Sequence, residues 1–338
     1  MIMRAAILEK LNSPLTIREV ELTPLKVGQV LVRILVSGLC GAQLHEIRGH
    51  KGNAKFLPHL MGHEGCGIVE SIGSGVTTVS PGDKVVMHWR PSTGIEAPFP
   101  EYILNGKKIS SGKVTTLSEY SIVSENRLTV VPPDTPDNFC ALLGCGLTTA
   151  LGIIDNEIDL KMGESVLVVG CGGVGLNLIQ GAKLKSAYPI IAVDVSEDKR
   201  IKTLEVGAST FINPLKDDMT AISVDVIIDT TGNSRVIGSM VHHLSKNGRI
   251  VLVGQPSPEE ELTIPNGVTL FGGSGKSIKA SQGGKTNPAE DIPRYVKMHD
   301  AGLLDVDKIV THTFTLEQVN EAFDLLQTGT AGRIMVKM

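Results

Sequence analysis

Three side chains able to bind a soft divalent cation stand beside glycines in this chain. They are Cys40 in Gly38-Leu39-Cys40-Gly41, His63 in Gly62-His63-Glu64-Gly65, and Cys145 in Leu142-Leu143-Gly144-Cys145-Gly146. Two thiolates and an imidazole suit Zn²⁺ and leave a tetrahedral ion one position for water or substrate. The intervals, 23 residues from Cys40 to His63 and 82 from His63 to Cys145, match no finger pattern, so spacing alone does not make a site of them. Taken singly, each has a plainer reading as a buried thiol or a satisfied imidazole.

A second chemistry is carried by Gly170-Cys171-Gly172-Gly173-Val174-Gly175. The apolar run Val166 to Val169 precedes it, a helical pattern follows to about Lys185, and a second apolar run, Ile190 to Val193, ends at Asp194. Gly170 allows the tight turn, Gly172 lets a pyrophosphate approach the backbone, and Gly175 lets helix and strand pack closely. The helix start offers unpaired N–H groups to phosphate. Asp194, 19 residues beyond Gly175, suits the two ribose hydroxyls and repels a 2′-phosphate, which points to NAD rather than NADP.

The elements that must position these residues fall into two groups. Up to about residue 147 the chain reads as many short strands punctuated by Gly and Pro, a compact, mostly β, barrel-like domain. Val30 to Val36 delivers Cys40, and Leu147 to about Ile158 reads as a helix leading into the nucleotide unit. Further short apolar strands, Asp225 to Thr231 and Arg249 to Gly254, come at α/β spacing. Near the end, Glu317 to Leu326 reads as a helix and Arg333 to Lys337 as a last strand. A length of 338 residues accommodates two cores. With 41% hydrophobic residues and a net charge of −4, nothing favours nucleic acid or a membrane surface as partner. Five cysteines without a disulfide-like framework suggest a reducing, cytoplasmic setting.

The ordered set of these motifs, with Gly82-Asp83-Lys84-Val85 and His45, resembles the zinc-dependent alcohol dehydrogenases of the medium-chain dehydrogenase/reductase superfamily along nearly the whole chain. The resemblance implies an α/β protein: a doubly wound parallel-sheet NAD domain (148–280) inserted in a barrel-like, GroES-like catalytic domain (1–147 and 281–338). It implies one catalytic zinc held by Cys40, His63 and Cys145, with Glu64 close by as a transient or supporting ligand and His45 at the end of a proton relay. At the cofactor it places Gly170, Gly172, Gly173, Val174, Gly175, Asp194, Thr149, Lys199 and Arg333, the last on the pyrophosphate. Trp89 and Arg90 fall at the substrate pocket. A homodimer or homotetramer acting on a small-molecule alcohol or ketone is the expected assembly.

The chain departs from the family pattern in three places. Ala42 stands where a Ser or Thr begins the relay, and Gln43 where an Asp often supports the metal ligands. The segment from Arg90 to Ser118 lacks the four cysteines that hold a structural zinc in many relatives, so a single zinc is expected. Gly41 replaces a basic residue. For the substrate, Lys107, Lys108 and Lys113, together with a loop read over Phe271 to Pro293 that carries Lys276, Lys279 and Lys285, favour a polar polyol or sugar-like secondary alcohol. Two other readings stand beside it: an epimerase or lyase that oxidises only transiently, and a non-catalytic NAD-binding protein.

Overall fold

A computed structural model describes residues 1–338. The chain divides into two compact units, Met1–Thr148 with Asn287–Val306 and Val310–Met338, and Thr149–Thr286 with Asp307–Ile309.

The first unit opens with strands β1 (Ile2–Leu8), β2 (Thr16–Leu22) and β3 (Gln29–Gly38), followed by the short helix α1 (Gly41–Ile47). Strands β4 (His59–Leu60), β5 (Gly65–Ile72), β6 (Lys84–Met87), β7 (Tyr102–Leu104), β8 (Lys107–Ile109), β9 (Tyr120–Ser124) and β10 (Leu128–Val130) come next, then helices α2 (Asp137–Leu142) and α3 (Gly146–Gly152). From Val30 to Val36, β3 alternates buried and half-buried side chains, the period expected of a strand with one face in a core. It is the hub of a seven-stranded sheet, pairing with β5 along its length and with β9 over its first half. Bulges between Leu31/Val32 and Ile34/Val36 curl the sheet.

In the second unit, strands β11 (Val166–Val169), β12 (Ile190–Val193), β13 (Thr210–Ile212), β14 (Val224–Asp229), β15 (Leu244–Leu252) and β16 (Ser277–Ala280) form an all-parallel sheet in the order β13-β12-β11-β14-β15-β16. Helices α4 (Gly173–Leu184), α5 (Lys199–Val206) and α6 (Ser234–Met240) connect it. All four residues of β11 are buried, as a central strand covered on both faces requires. This is the doubly wound order, which reverses between β11 and β14, where such sheets bind ligands. The helix read from Leu147 to Ile158 is α3 followed by a π turn, Ile153–Glu157.

The loop read over Phe271 to Pro293 is corrected here. It contains a π turn, the edge strand β16 in register with Arg249 to Leu252, and the start of helix α7 (Pro288–Asp300). Lys279 donates to the Glu157 carbonyl. The segment is therefore an ordered sheet edge and helix start, not one long loop. The chain ends with β17 (Val310–Thr315), α8 (Val319–Thr328) and β18 (Arg333–Lys337), and β18 pairs with the second half of β3.

Candidate active site

The end of β3 delivers the first thiol. Cys40 sits extended at the N-cap of α1, and Gln43 folds back so that its Oε1 accepts the Cys40 N–H at 2.8 Å, which pins that backbone. His63 lies between β4 and β5. The preceding Gly62 has φ +100°, and a Cβ there would come within 2.4 Å of Thr116 Oγ1. Cys145 occupies the turn between α2 and α3.

The ligand atoms of Cys40, His63 and Cys145 all lie within 4.8 Å of one another. A tetrahedral zinc, with bonds of about 2.3 Å to sulfur and about 2.0 Å to nitrogen, needs its ligand atoms roughly 3.5–3.8 Å apart. A small contraction accommodates it. Cys40 is held well below the ordinary thiol range, chiefly by a hydrogen bond from Cys145 and, against burial, by His63 and the Arg333 charge. Cys145 is pushed well above that range by the Cys40 sulfur and by burial. Burial lowers His63 most, but the hydrogen bond to Cys40 and the charges of Cys40 and Glu64 together outweigh it, and the imidazole stays raised. The three thus share protons around one thiolate. A divalent cation, which needs both thiolates and a neutral imidazole, takes the place of those protons.

Glu64 and Arg333 brace this cluster. Glu64 is fully buried, and its Oε2 accepts from Arg333 Nη2 at 2.7 Å and from the Gly146 N–H at 3.1 Å. Arg333 Nη1 donates to the Leu39 carbonyl at 3.0 Å. Leu39, Glu64 and Gly146 are the immediate neighbours of Cys40, His63 and Cys145, so one ion pair ties together the three segments that carry the ligands. The adjacent glycines make room for it. A Cβ at Gly38 would lie 2.7 Å from Glu64 Oε1, at Gly144 2.8 Å from Glu64 Cα, and at Gly146 2.3 Å from Arg333 Nη2. Burial pushes the Glu64 carboxyl up while Arg333 pulls it back. Arg333, expected at the pyrophosphate, is only 4% exposed, with its guanidinium turned onto Glu64 and Leu39.

The other residues singled out in this unit are placed as follows. His45 lies half-buried on α1, its Nδ1 3.3 Å from that of His50. Trp89 and Arg90 follow β6, half-buried, with the Arg90 guanidinium carbon 5.4 Å from the Trp89 ring centre. Of the three lysines read in the neighbouring lobe, Lys108 pairs with Glu101 at 3.0 Å and Lys113 with Glu96 at 2.9 Å, while Lys107 is exposed. Sequence reasoning missed Glu96, Glu125, His88 and His50. Of these, only His50 had a local signal, a second imidazole just past a helix-ending glycine.

In the second unit each turn glycine has a distinct geometry. Gly170 has φ +87°, and a Cβ there would meet Thr230 Oγ1 at 2.5 Å. Thr230 itself donates to the carbonyls of Val169 and Gly170, both at 2.9 Å, across the point where the strand order reverses. Gly172 has open space where a Cβ would stand, and a Cβ at Gly175 would lie 2.0 Å from the Gly170 carbonyl oxygen. Gly173 and Val174 open α4. Asp194 ends β12 with its carboxylate fixed by the N–H groups of Cys171 (2.7 Å) and Ser196 (2.9 Å). Lys199 is 3% exposed, so it is no solvated lysine. Burial depresses it, and the Asp194 charge opposes the shift. Thr149 is half-buried on α3.

Comparison with known proteins agrees with both halves of this description. Residues 26–133 match the alcohol dehydrogenase GroES-like domain and residues 173–300 the zinc-binding dehydrogenase domain. Alcohol dehydrogenase 6 of Peromyscus maniculatus is 34% identical, over 98% of this chain and 97% of its own. Among solved structures, an alcohol dehydrogenase zinc-binding domain protein from Burkholderia ambifaria aligns with TM-score 0.91 at 25% identity, covering 100% of this chain and 99% of that one. The 2R,3R-butanediol dehydrogenase of Bacillus subtilis aligns with TM-score 0.80 at 26% identity, covering 99% of each. No helix is long and apolar enough to cross a membrane. The chain belongs to the zinc-dependent alcohol dehydrogenase family of the medium-chain dehydrogenase/reductase superfamily, and it is an oxidoreductase.

Proposed function

We propose that this chain interconverts a secondary alcohol and its ketone with NAD, using one zinc held by Cys40, His63 and Cys145. The observation that carries this reading is the convergence of those three ligand atoms within 4.8 Å, in the Cys₂His set known from the catalytic zinc of alcohol dehydrogenases. When bound, the metal supplies Lewis acidity at the substrate oxygen and the nicotinamide takes the hydride. The chain's own work is placement. The Glu64–Arg333 pair holds the three ligand-bearing segments in register, and Gln43 fixes the backbone at Cys40. His45 takes the hydroxyl proton, through water or a substrate hydroxyl, because Ala42 carries no oxygen.

Gly172 leaves the open backbone that a pyrophosphate needs, and Asp194 supports NAD over NADP because its fixed carboxylate repels a 2′-phosphate. Trp89 and Arg90 line the substrate pocket in this reading. The substrate is a polyol or other polar secondary alcohol, a choice resting on resemblance to a diol dehydrogenase after the paired lysines withdrew their support. The cytoplasm as location and a homodimer or homotetramer as assembly belong to the same proposal. A panel of diols, polyols and simple alcohols with the zinc-loaded protein tests it: NADH should form from vicinal diols and polyols, with NADP at least about tenfold poorer. Product formation without net NADH would favour the transient-oxidation reading, and absence of both zinc and turnover a non-catalytic one.

A further inference from the structure

A second imidazole, His50, stands against His45. Helix α1 ends at Ile47, and Gly49 follows with φ +78°, where a Cβ would strike Leu11 Cδ1 at 2.6 Å. The Gly49 N–H bonds to the Glu46 carbonyl at 3.0 Å, and the His50 N–H reaches back to the His45 carbonyl at 2.9 Å. This is a Schellman ending, with glycine in the left-handed position and the next N–H closing on the third residue from the helix end. It folds His50 over His45, giving Nδ1 to Nδ1 at 3.3 Å and ring centres 5.4 Å apart.

Two imidazole nitrogens at that distance share one proton, so one Nδ1 is protonated and the other bare. Burial, then the facing His50 ring and the Arg48 and Lys51 charges, hold His45 below the ordinary imidazole range. Cys40, at the helix start, acts in the opposite sense. Glu46 is engaged with His59 Nε2 at 3.0 Å. Leu44 and Ile47 face a different side, in the apolar cluster with Phe323 and Leu325 of α8.

We infer that His50 is the outlet of the proton route: His45 and His50 act as a dyad that carries the alcohol proton to solvent. This rests on the dehydrogenase reading above. The hydroxyl proton arrives at His45 Nε2, the only nitrogen that its contact with His50 leaves open. The His45 Nδ1 proton passes to His50 Nδ1, and His50 releases its Nε2 proton to water. One proton enters, one leaves, and the rings reset by proton exchange with water. Ketone reduction runs the same path backwards. His50 is a positioning and relay residue, since it acts through His45.

The test compares the zinc-loaded wild-type chain with His50→Gln across pH, with and without added imidazole. The dyad predicts about a tenfold fall in kcat at neutral pH, a changed pH limb, unchanged KM, and recovery as imidazole rises. Wild-type kcat, pH limb and insensitivity to imidazole in the variant would overturn it, whereas a wild-type chain that forms no NADH would defeat the parent reading instead. Should His50→Gln fail to fold, nitrogen NMR of the wild-type imidazoles decides. Linked two-step titration of His45 and His50, with one Nδ1 bare at neutral pH, supports the dyad. Independent single-step titrations overturn it.

Discussion

Two neighbouring parts of the first unit solve the same problem, holding irregular backbone in place, in opposite ways. At the ligand cluster, two thiols and an imidazole converge and share protons, and a cation completes the arrangement. The lobe from Arg90 to Ser118, where many relatives carry a thiolate cage, satisfies itself with carboxylates. Glu125, 1% exposed, accepts from the N–H groups of Thr77 (2.9 Å), Thr78 (3.1 Å) and Ile95 (2.8 Å) and from the Thr78 hydroxyl (3.0 Å). Glu96 receives Arg127, Asn126 and Lys113, each at 2.9 Å. Burial would raise both carboxyls, but these donors outweigh it, lowering Glu125 and bringing Glu96 to about 2. The difference teaches that a carboxylate with three or more donors can hold irregular backbone without a thiol.

The comparison breaks most readily at the brace. Glu64→Gln leaves the Arg333 charge buried without a counter-charge, which should cost about 3–5 kcal/mol of stability and weaken zinc binding about 10–100-fold. Denaturant melts and competition with a chelating dye measure the two. Next, Glu125→Ala strands four donors and should cost about 3 kcal/mol, with zinc content unchanged. A loss of zinc in that variant would mean that the two regions are not independent.

Acid sharpens the contrast. Burial sets His88 at about 4 against its usual 6.5. Its Nδ1–H donates to the Arg90 carbonyl at 2.7 Å, and its Nε2 lies 3.0 Å from Thr129 Oγ1. Below 6.5 the unfolded chain takes up a proton that the folded chain refuses. Stability therefore falls as the pH drops from 6.5 toward 4 and levels off below, by up to about 3 kcal/mol. His88→Asn should flatten that part of the curve. Glu125 and Glu96 act lower: their contribution is present above the ordinary carboxylate value of 4.5 and is lost as pH falls below it, for Glu96 down to about 2. The smallest effect expected is that of a chelator at neutral pH on the lobe: hydrogen exchange over residues 90–118 should be unchanged while it rises around Cys40 and Cys145.

What could be read in the sequence was local. The turn at Gly170, Gly172 and Gly175 declares itself because strand, glycines and helix are contiguous, and β18 because Arg333 to Lys337 is a short apolar run. What stayed hidden was set by distant partners. Nothing around Arg333 in the sequence points to Glu64, its ion-pair partner 269 residues away. Strand β16, Ser-Ile-Lys-Ala with glycines on either side of it, looks like part of a loop because its side chains are mostly exposed, and only the register with β15 makes it a strand. Lys108 and Lys113 look like a basic patch until Glu101 and Glu96 fold against them.

X-ray absorption with metal analysis on the purified full chain tests the central claim most directly. The account predicts one zinc per chain with two sulfur ligands, and loss of that metal in Cys40→Ser. Two zincs per chain, or a zinc shell without sulfur, would contradict it.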